Sequence, residues 1–125
     1  VNKRLLILEN EETVQFALQR YFSRVGFIVD CASELEEAEA LVAHTAYDLA
    51  ILDLALTTTD ATEGLEFLRY LRTVRSRARV IMLTAYATAA VKREAYRRGV
   101  DAFLCKPRPL AEIARVAEQL TGGFA

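Results

Sequence analysis

Five short apolar runs recur along the chain, each followed by a longer stretch with apolar residues at helical spacing, and few folds accept that rhythm. Leu5–Leu8, Phe27–Asp30, Leu49–Asp53, Val80–Leu83 and Ala102–Leu104 read as strands. Leu49, Ala50, Ile51 and Leu52 are apolar without alternation, as in a strand buried on both faces of a parallel sheet. Between the first two runs, Val14, Ala17, Leu18, Tyr21, Phe22 and Val25 mark a helix that Gly26 stops. Leu35, Ala38, Leu41 and Val42 mark a second. Leu68, Leu71 and Val74 mark a third, entered through Asp60–Glu63, which has the form of a capping box with Asp as the cap. The fourth, Ala87–Arg98, carries a thin stripe of Val91 and Ala95 and ends before Gly99. Leu110, Ile113, Ala114, Ala117 and Leu120 form the last, with Pro109 suited to a first turn and Gly122-Gly123 closing it.

Parallel neighbouring strands need crossover helices, so strict strand–helix alternation predicts an α/β domain with a parallel sheet. The 125 residues fit about five such units in one domain spanning 1–125, whereas a barrel of about eight needs roughly twice the chain. No segment is long enough to span a bilayer, and the chain opens on Val1 rather than Met, as a processed or excised piece does. A net charge of -1 supplies no overall field for nucleic acid. Cys31 and Cys105 are far apart and form no CxxC pair, which predicts reduced, partly buried thiols in a cytosolic protein. His44, the one histidine, lies on a polar-flanked helical stretch and reads as a surface residue rather than a ligand or base.

In open parallel sheets the working crevice lies beyond the carboxyl ends of the strands. Glu9, Asn10, Glu11 and Glu12 follow the first strand; Asp53 ends the third; Thr84 follows the fourth; Cys105-Lys106-Pro107 follows the fifth. Each has a plain alternative: Asp53 starting a turn, Thr84 capping a helix, Lys106 as a surface cation, the glutamates as a solvated helix start. Their arrival at one edge favours a joint role. Hard oxygens from Glu9, Asn10 and Asp53 suit Mg²⁺, Lys106 and Thr84 suit phosphoryl oxygens, and Asp53 is then a nucleophile able to carry an aspartyl phosphate.

The segments LLILENEE, LAILDLAL, VIMLTAY and GVDAFLCKP, in this order and spacing, resemble the receiver domain of two-component response regulators over essentially the whole chain. The resemblance implies a flavodoxin-like, doubly wound (βα)5 domain with strand order 2-1-3-4-5. It implies that Asp53 accepts a phosphoryl group from a histidine kinase, or from a phosphotransfer protein, in a phosphorelay. Lys106 would neutralise the phosphoryl oxygens and Thr84 would hydrogen-bond one of them. Phe103 takes the aromatic switch position, Ala55 lends Mg²⁺ a backbone carbonyl, and the Lys106–Pro107 bond is expected to be cis. The face of the fourth helix, fifth strand and fifth helix would be read by a partner, by a second copy in a homodimer, or by an output domain after Ala125. Neither membrane nor nucleic acid is an expected partner of this domain.

Three positions depart from the family pattern. Asn10 replaces the second acid of the usual pair, which weakens the expected metal site. The segment Thr57–Gly64 is longer than the usual turn after the acceptor, and Phe103 lacks the hydroxyl of the commoner Tyr. Asn10 also suggests a rival reading, a receiver-like interaction module that no longer turns over phosphate. An aspartate-based phosphatase of the haloacid dehalogenase type needs a second Asp two residues after the nucleophile, where Ala55 stands. A signalling phosphoacceptor rather than an enzyme on a separate substrate is the reading that keeps Asp53, Thr84 and Lys106 together. Arg72, Arg75, Arg77 and Arg79 read by default as a solvated basic loop before the fourth strand.

Overall fold

A computed structural model describes residues 3–53, 62–75, 77–85 and 87–122. Strands β1 (Arg4–Leu8), β2 (Ile28–Ala32), β3 (Leu49–Leu52), β4 (Arg79–Thr84) and β5 (Ala102–Cys105) alternate with helices α1 (Glu12–Arg24), α2 (Leu35–His44), α3 (Thr62–Val74), α4 (Ala89–Arg97) and α5 (Leu110–Thr121). All strand pairs are parallel and the sheet order is β2-β1-β3-β4-β5, the doubly wound order expected.

Successive strand residues point to opposite faces, and this divides the core in two. Leu6, Leu8, Ala50, Leu52, Val80 and Met82 face α2, α3 and α4, where they meet Ala38, Val42, Phe67, Leu71 and Ala95. Leu5, Ile7, Leu49, Ile51, Ile81 and Leu83 face α1 and α5, meeting Leu18, Phe22, Ile113 and Ala117. The unalternating apolar run of β3 follows directly: its four residues are buried because both faces are covered.

β2 lies one residue later than its apolar run suggests and continues through Cys31 and Ala32, paired with Ile7 and Leu8. Phe27 precedes the ladder because its N–H closes the turn after α1 on Phe22 O at 3.0 Å. Its ring packs edge-on against Phe22. Gly26, at φ 106, takes the left-handed conformation that ends α1 without steric cost. α4 begins at Ala89, two residues inside the predicted start, because Thr88 caps it by accepting Val91 N–H at 3.1 Å. The predicted Asp60–Glu63 cap of α3 involves residues outside those described.

Two expectations need correction. Cys105 is exposed rather than partly buried, since β5 is an edge strand whose last residue faces solvent; Cys31 is half-buried, and both thiols are free. Arg72 is no part of a solvated loop. It ends α3 facing inward, donating to Gly99 O at 2.7 Å and 3.0 Å, to Ala78 O, and to Asp101 Oδ2 at 2.9 Å. Asp101 also accepts Val80 N–H at 2.8 Å, so one half-buried network ties α3, β4 and the α4–β5 turn together.

Candidate functional site

The carboxyl ends of β1, β3 and β5 bring Glu9, Asp53 and Lys106 to one edge. Each backbone is held by the ladder just before the chain turns away: Glu9 N–H donates to Ala32 O, Asp53 N–H to Leu8 O, and Lys106 N–H to Thr84 O. The side chains therefore project from rigid strand ends rather than from mobile loops. Lys106 Nζ lies 2.7 Å from Glu9 Oε1, 3.3 Å from Asp53 Oδ2 and 3.4 Å from Glu11 Oε1. Glu9 and Asp53 are 2% and 5% exposed, and Thr84, at the end of β4, is fully buried. Asn10 is exposed.

Two carboxylates held this close and this dry repel each other, and their ionisation costs solvation. Burial holds the Glu9 carboxyl above its usual range, against the Lys106 hydrogen bond and the Glu11 N–H that favour its charged form; the neighbouring Asp53 charge adds to the rise. For Lys106 burial opposes the charge, but the hydrogen bond and charge of Glu9, with the charge of Asp53, outweigh it and hold the ammonium above its ordinary value. The ammonium is thus the counter-ion that lets both acids stand side by side.

Among the described residues no cluster of three His, Cys, Asp or Glu side chains forms a ready-made metal cage. The donor set nevertheless fits a hard divalent cation of the Mg²⁺ kind, which binds through one or two carboxylates and keeps several waters. Glu9 and Asp53 are such carboxylates, and Asn10 follows Glu9 with an amide oxygen. Ala55, expected to add a carbonyl, lies outside the described residues.

Thr84 is not a helix cap, that part being taken by Thr88. Phe103 is buried on the α2–α4 face of the sheet, in one cluster with Met82, Ala95 and Val100. The Lys106–Pro107 peptide is cis. Glu11 entered the sequence reading as one of four polar residues after β1; its N–H donates to Glu9 Oε2 at 3.0 Å and its carboxylate contacts Lys106. Beside this cluster, Val14, Ala17 and Leu18 of α1 and Leu110 and Ile113 of α5 line a mostly apolar groove of about 470 Å³ that reaches Lys106 and Pro107.

The family model for the response regulator receiver domain matches residues 5–118. The chain is 33% identical over 111 residues to the transcriptional regulatory protein QseB of Haemophilus influenzae, covering 89% of this chain and 49% of that one. It spans about half the length of the first curated relatives it matches. A crystal structure of a Burkholderia pseudomallei response regulator with a phosphorylated aspartic acid, a calcium ion and citrate superposes with a TM-score of 0.84 at 29% identity, over 92% of this chain and 66% of that one. A CheY-like receiver domain from Methanospirillum hungatei gives 0.87 at 25% identity, over 96% and 94% of the two chains.

Proposed function

The chain belongs to the response regulator receiver domain family, and we propose that within it Asp53 is the side chain that takes up the phosphoryl group. The observation that carries this reading is a carboxylate 5% exposed at the carboxyl end of a central strand, with an ammonium 3.3 Å away. An Asp53 oxygen attacks the phosphorus of a phosphohistidine on a kinase or phosphotransfer protein. The new O–P bond forms as the P–N bond breaks, and the departing imidazole takes a proton. Lys106 neutralises the transferred oxygens, and the Thr84 hydroxyl donates to one of them.

Glu9, Asp53, the Asn10 amide oxygen and the Ala55 carbonyl are the groups we assign to Mg²⁺, which when bound supplies positive charge to the phosphoryl oxygens. Phe103 and Thr84 serve as the switch, changing the surface of α4, β5 and α5 that a partner, a second copy or an output domain after Ala125 reads. In this reading residues 1–125 are one receiver domain, cytoplasmic, and its chemistry is confined to gaining and losing its own phosphoryl group. Among the described residues no helix is long and apolar enough to cross a membrane.

The exposed amide at Asn10, in place of a carboxylate, favours a second reading in which the domain is an interaction module without phosphate turnover. Acetyl phosphate with Mg²⁺, followed by intact mass, separates the two. A gain of one phosphoryl mass in the wild type and none in Asp53→Ala supports the first; no gain in either supports the second.

A further inference from the structure

The edge of the sheet opposite Asp53 is strongly basic. A hollow of about 460 Å³ opens there between α3 and α4, lined by Arg69, Arg72, Thr73, Arg97 and Arg98. A second, of about 530 Å³, adjoins it across Arg72 and adds Arg77 and Arg79. Among the described residues, Glu94 meets Arg97 at 2.7 Å and Arg98 at 2.6 Å, and Asp101 meets Arg72 at 2.9 Å and Arg79 at 3.2 Å. Four of the six arginines lining the two hollows thus share two carboxylates, on a chain whose formal net charge is -1.

A plain structural account covers part of this. Arg72 is the half-buried clamp described above, and basic side chains in the last turns of α3 and α4 complement the helix dipoles. Arg69 lies a full turn further back in α3, on the face it shares with Thr73, and makes no ion pair among the described residues. Arg97 is 74% exposed and grips both oxygens of Glu94 through Nε and Nη2, a within-helix pair that stays open to solvent. These guanidinium groups are open to a better acceptor.

We infer that the α3–α4 hollow binds a compact polyanion carrying at least two phosphate groups, of the pyrophosphate or nucleotide class. The guanidinium fork matches phosphate oxygens two at a time, and several forks around one hollow match several phosphates. A single carboxylate leaves most of the surplus charge unmet. The hollow is concave and in the size range of small-ligand sites, whereas a duplex needs side chains projecting into its grooves. A ligand held there bridges α3 to α4 beside the Arg72 clamp.

The test is calorimetric titration of sodium pyrophosphate into the 125-residue chain at constant ionic strength without divalent cation, with amide chemical shifts to locate the site. Saturable binding is expected, with shifts centred on residues 69–73 and 94–99. Arg69→Ala and Arg97→Ala change exposed side chains, so circular dichroism should stay constant while each weakens binding roughly tenfold. Arg69→Lys, which keeps the charge without the fork, should fall between. A nucleoside triphosphate that binds more tightly than pyrophosphate assigns a nucleotide, and equal binding assigns the phosphates alone. Absence of saturation at millimolar pyrophosphate, equal affinity in the alanine variants, or shifts centred on Asp53 and Lys106 overturns the inference. A short DNA duplex that displaces pyrophosphate with steep salt dependence also overturns it, in favour of nucleic acid.

Discussion

Lys106 Nζ sits 2.7 Å from Glu9 Oε1, closer than to Asp53 Oδ2 at 3.3 Å, so without a phosphoryl group the ammonium is held chiefly by the acid after β1. Glu9 therefore has a part to play apart from its proposed place at the metal. It parks the cation beside the proposed acceptor, within a short swing of where phosphoryl oxygens would appear.

Removing that cation strands a buried carboxylate. Lys106→Met should lower stability by about 1–3 kcal/mol, the cost of leaving a buried charged group without its partner. Urea denaturation at neutral pH measures it. Stability equal to or above that of the wild type would mean that Glu9 is solvated well enough without Lys106.

Glu9 also gives stability a pH signature. Its folded-state value is raised above the ordinary 4.5, chiefly by burial, so the folded chain holds this proton more tightly than the unfolded one. Its contribution is fully present below 4.5 and is lost as pH rises through the raised value. Metal-free wild type, compared with Glu9→Gln in urea at a series of pH values, should lose relative stability across that window and then level off. A relative gain with rising pH would show that Lys106, not burial, dominates the Glu9 carboxyl.

Much of this was legible in the chain. The buried runs of β1 and β3 and the strand–helix alternation sufficed for the α/β class, the resemblance to receiver domains supplied the strand order, and the polar residues after each strand pointed to the edge where Glu9, Asp53 and Lys106 meet. Contacts that depend on side-chain reach were not. The preference of Lys106 for Glu9 over Asp53 spans strands that are not neighbours in the sheet. The inward turn of Arg72 depends on the Gly99 carbonyl and on Asp101, 27 and 29 residues away. A run of arginines looks the same in sequence whether it is solvated or folded inward. The Phe27 boundary was missed because an aromatic closing a helix turn and one starting a strand are equally apolar.

Phe103 is 8% exposed and packed under α4. Phe103→Ala should cost about 3–5 kcal/mol by opening a cavity there, yet leave the Asp53 site able to take up a phosphoryl group. Thermal unfolding reads the first part and intact mass after acetyl phosphate treatment the second. A stability loss below about 1 kcal/mol would show a ring that packs loosely enough to leave its site at little cost.

Asn10→Asp restores a negative charge beside the proposed metal position. A unit charge pair at about 4 Å and an effective dielectric of 20 is worth roughly 4 kcal/mol, most of which dehydration offsets. The expected gain in Mg²⁺ affinity is about tenfold or somewhat more, read by calorimetry. Unchanged or weaker binding would mean that Glu11, already near Lys106 at 3.4 Å, supplies the missing charge.

Borohydride reduction locates an acyl phosphate chemically, because it converts the phosphorylated aspartate to homoserine at the residue that carried it. The domain is treated with acetyl phosphate and Mg²⁺, reduced, digested and mapped by peptide mass. The account predicts homoserine at position 53 and at no other aspartate, with the signal absent in Asp53→Asn. Homoserine at another acid, or an unmodified peptide 53 from a protein that has gained one phosphoryl mass, would contradict it.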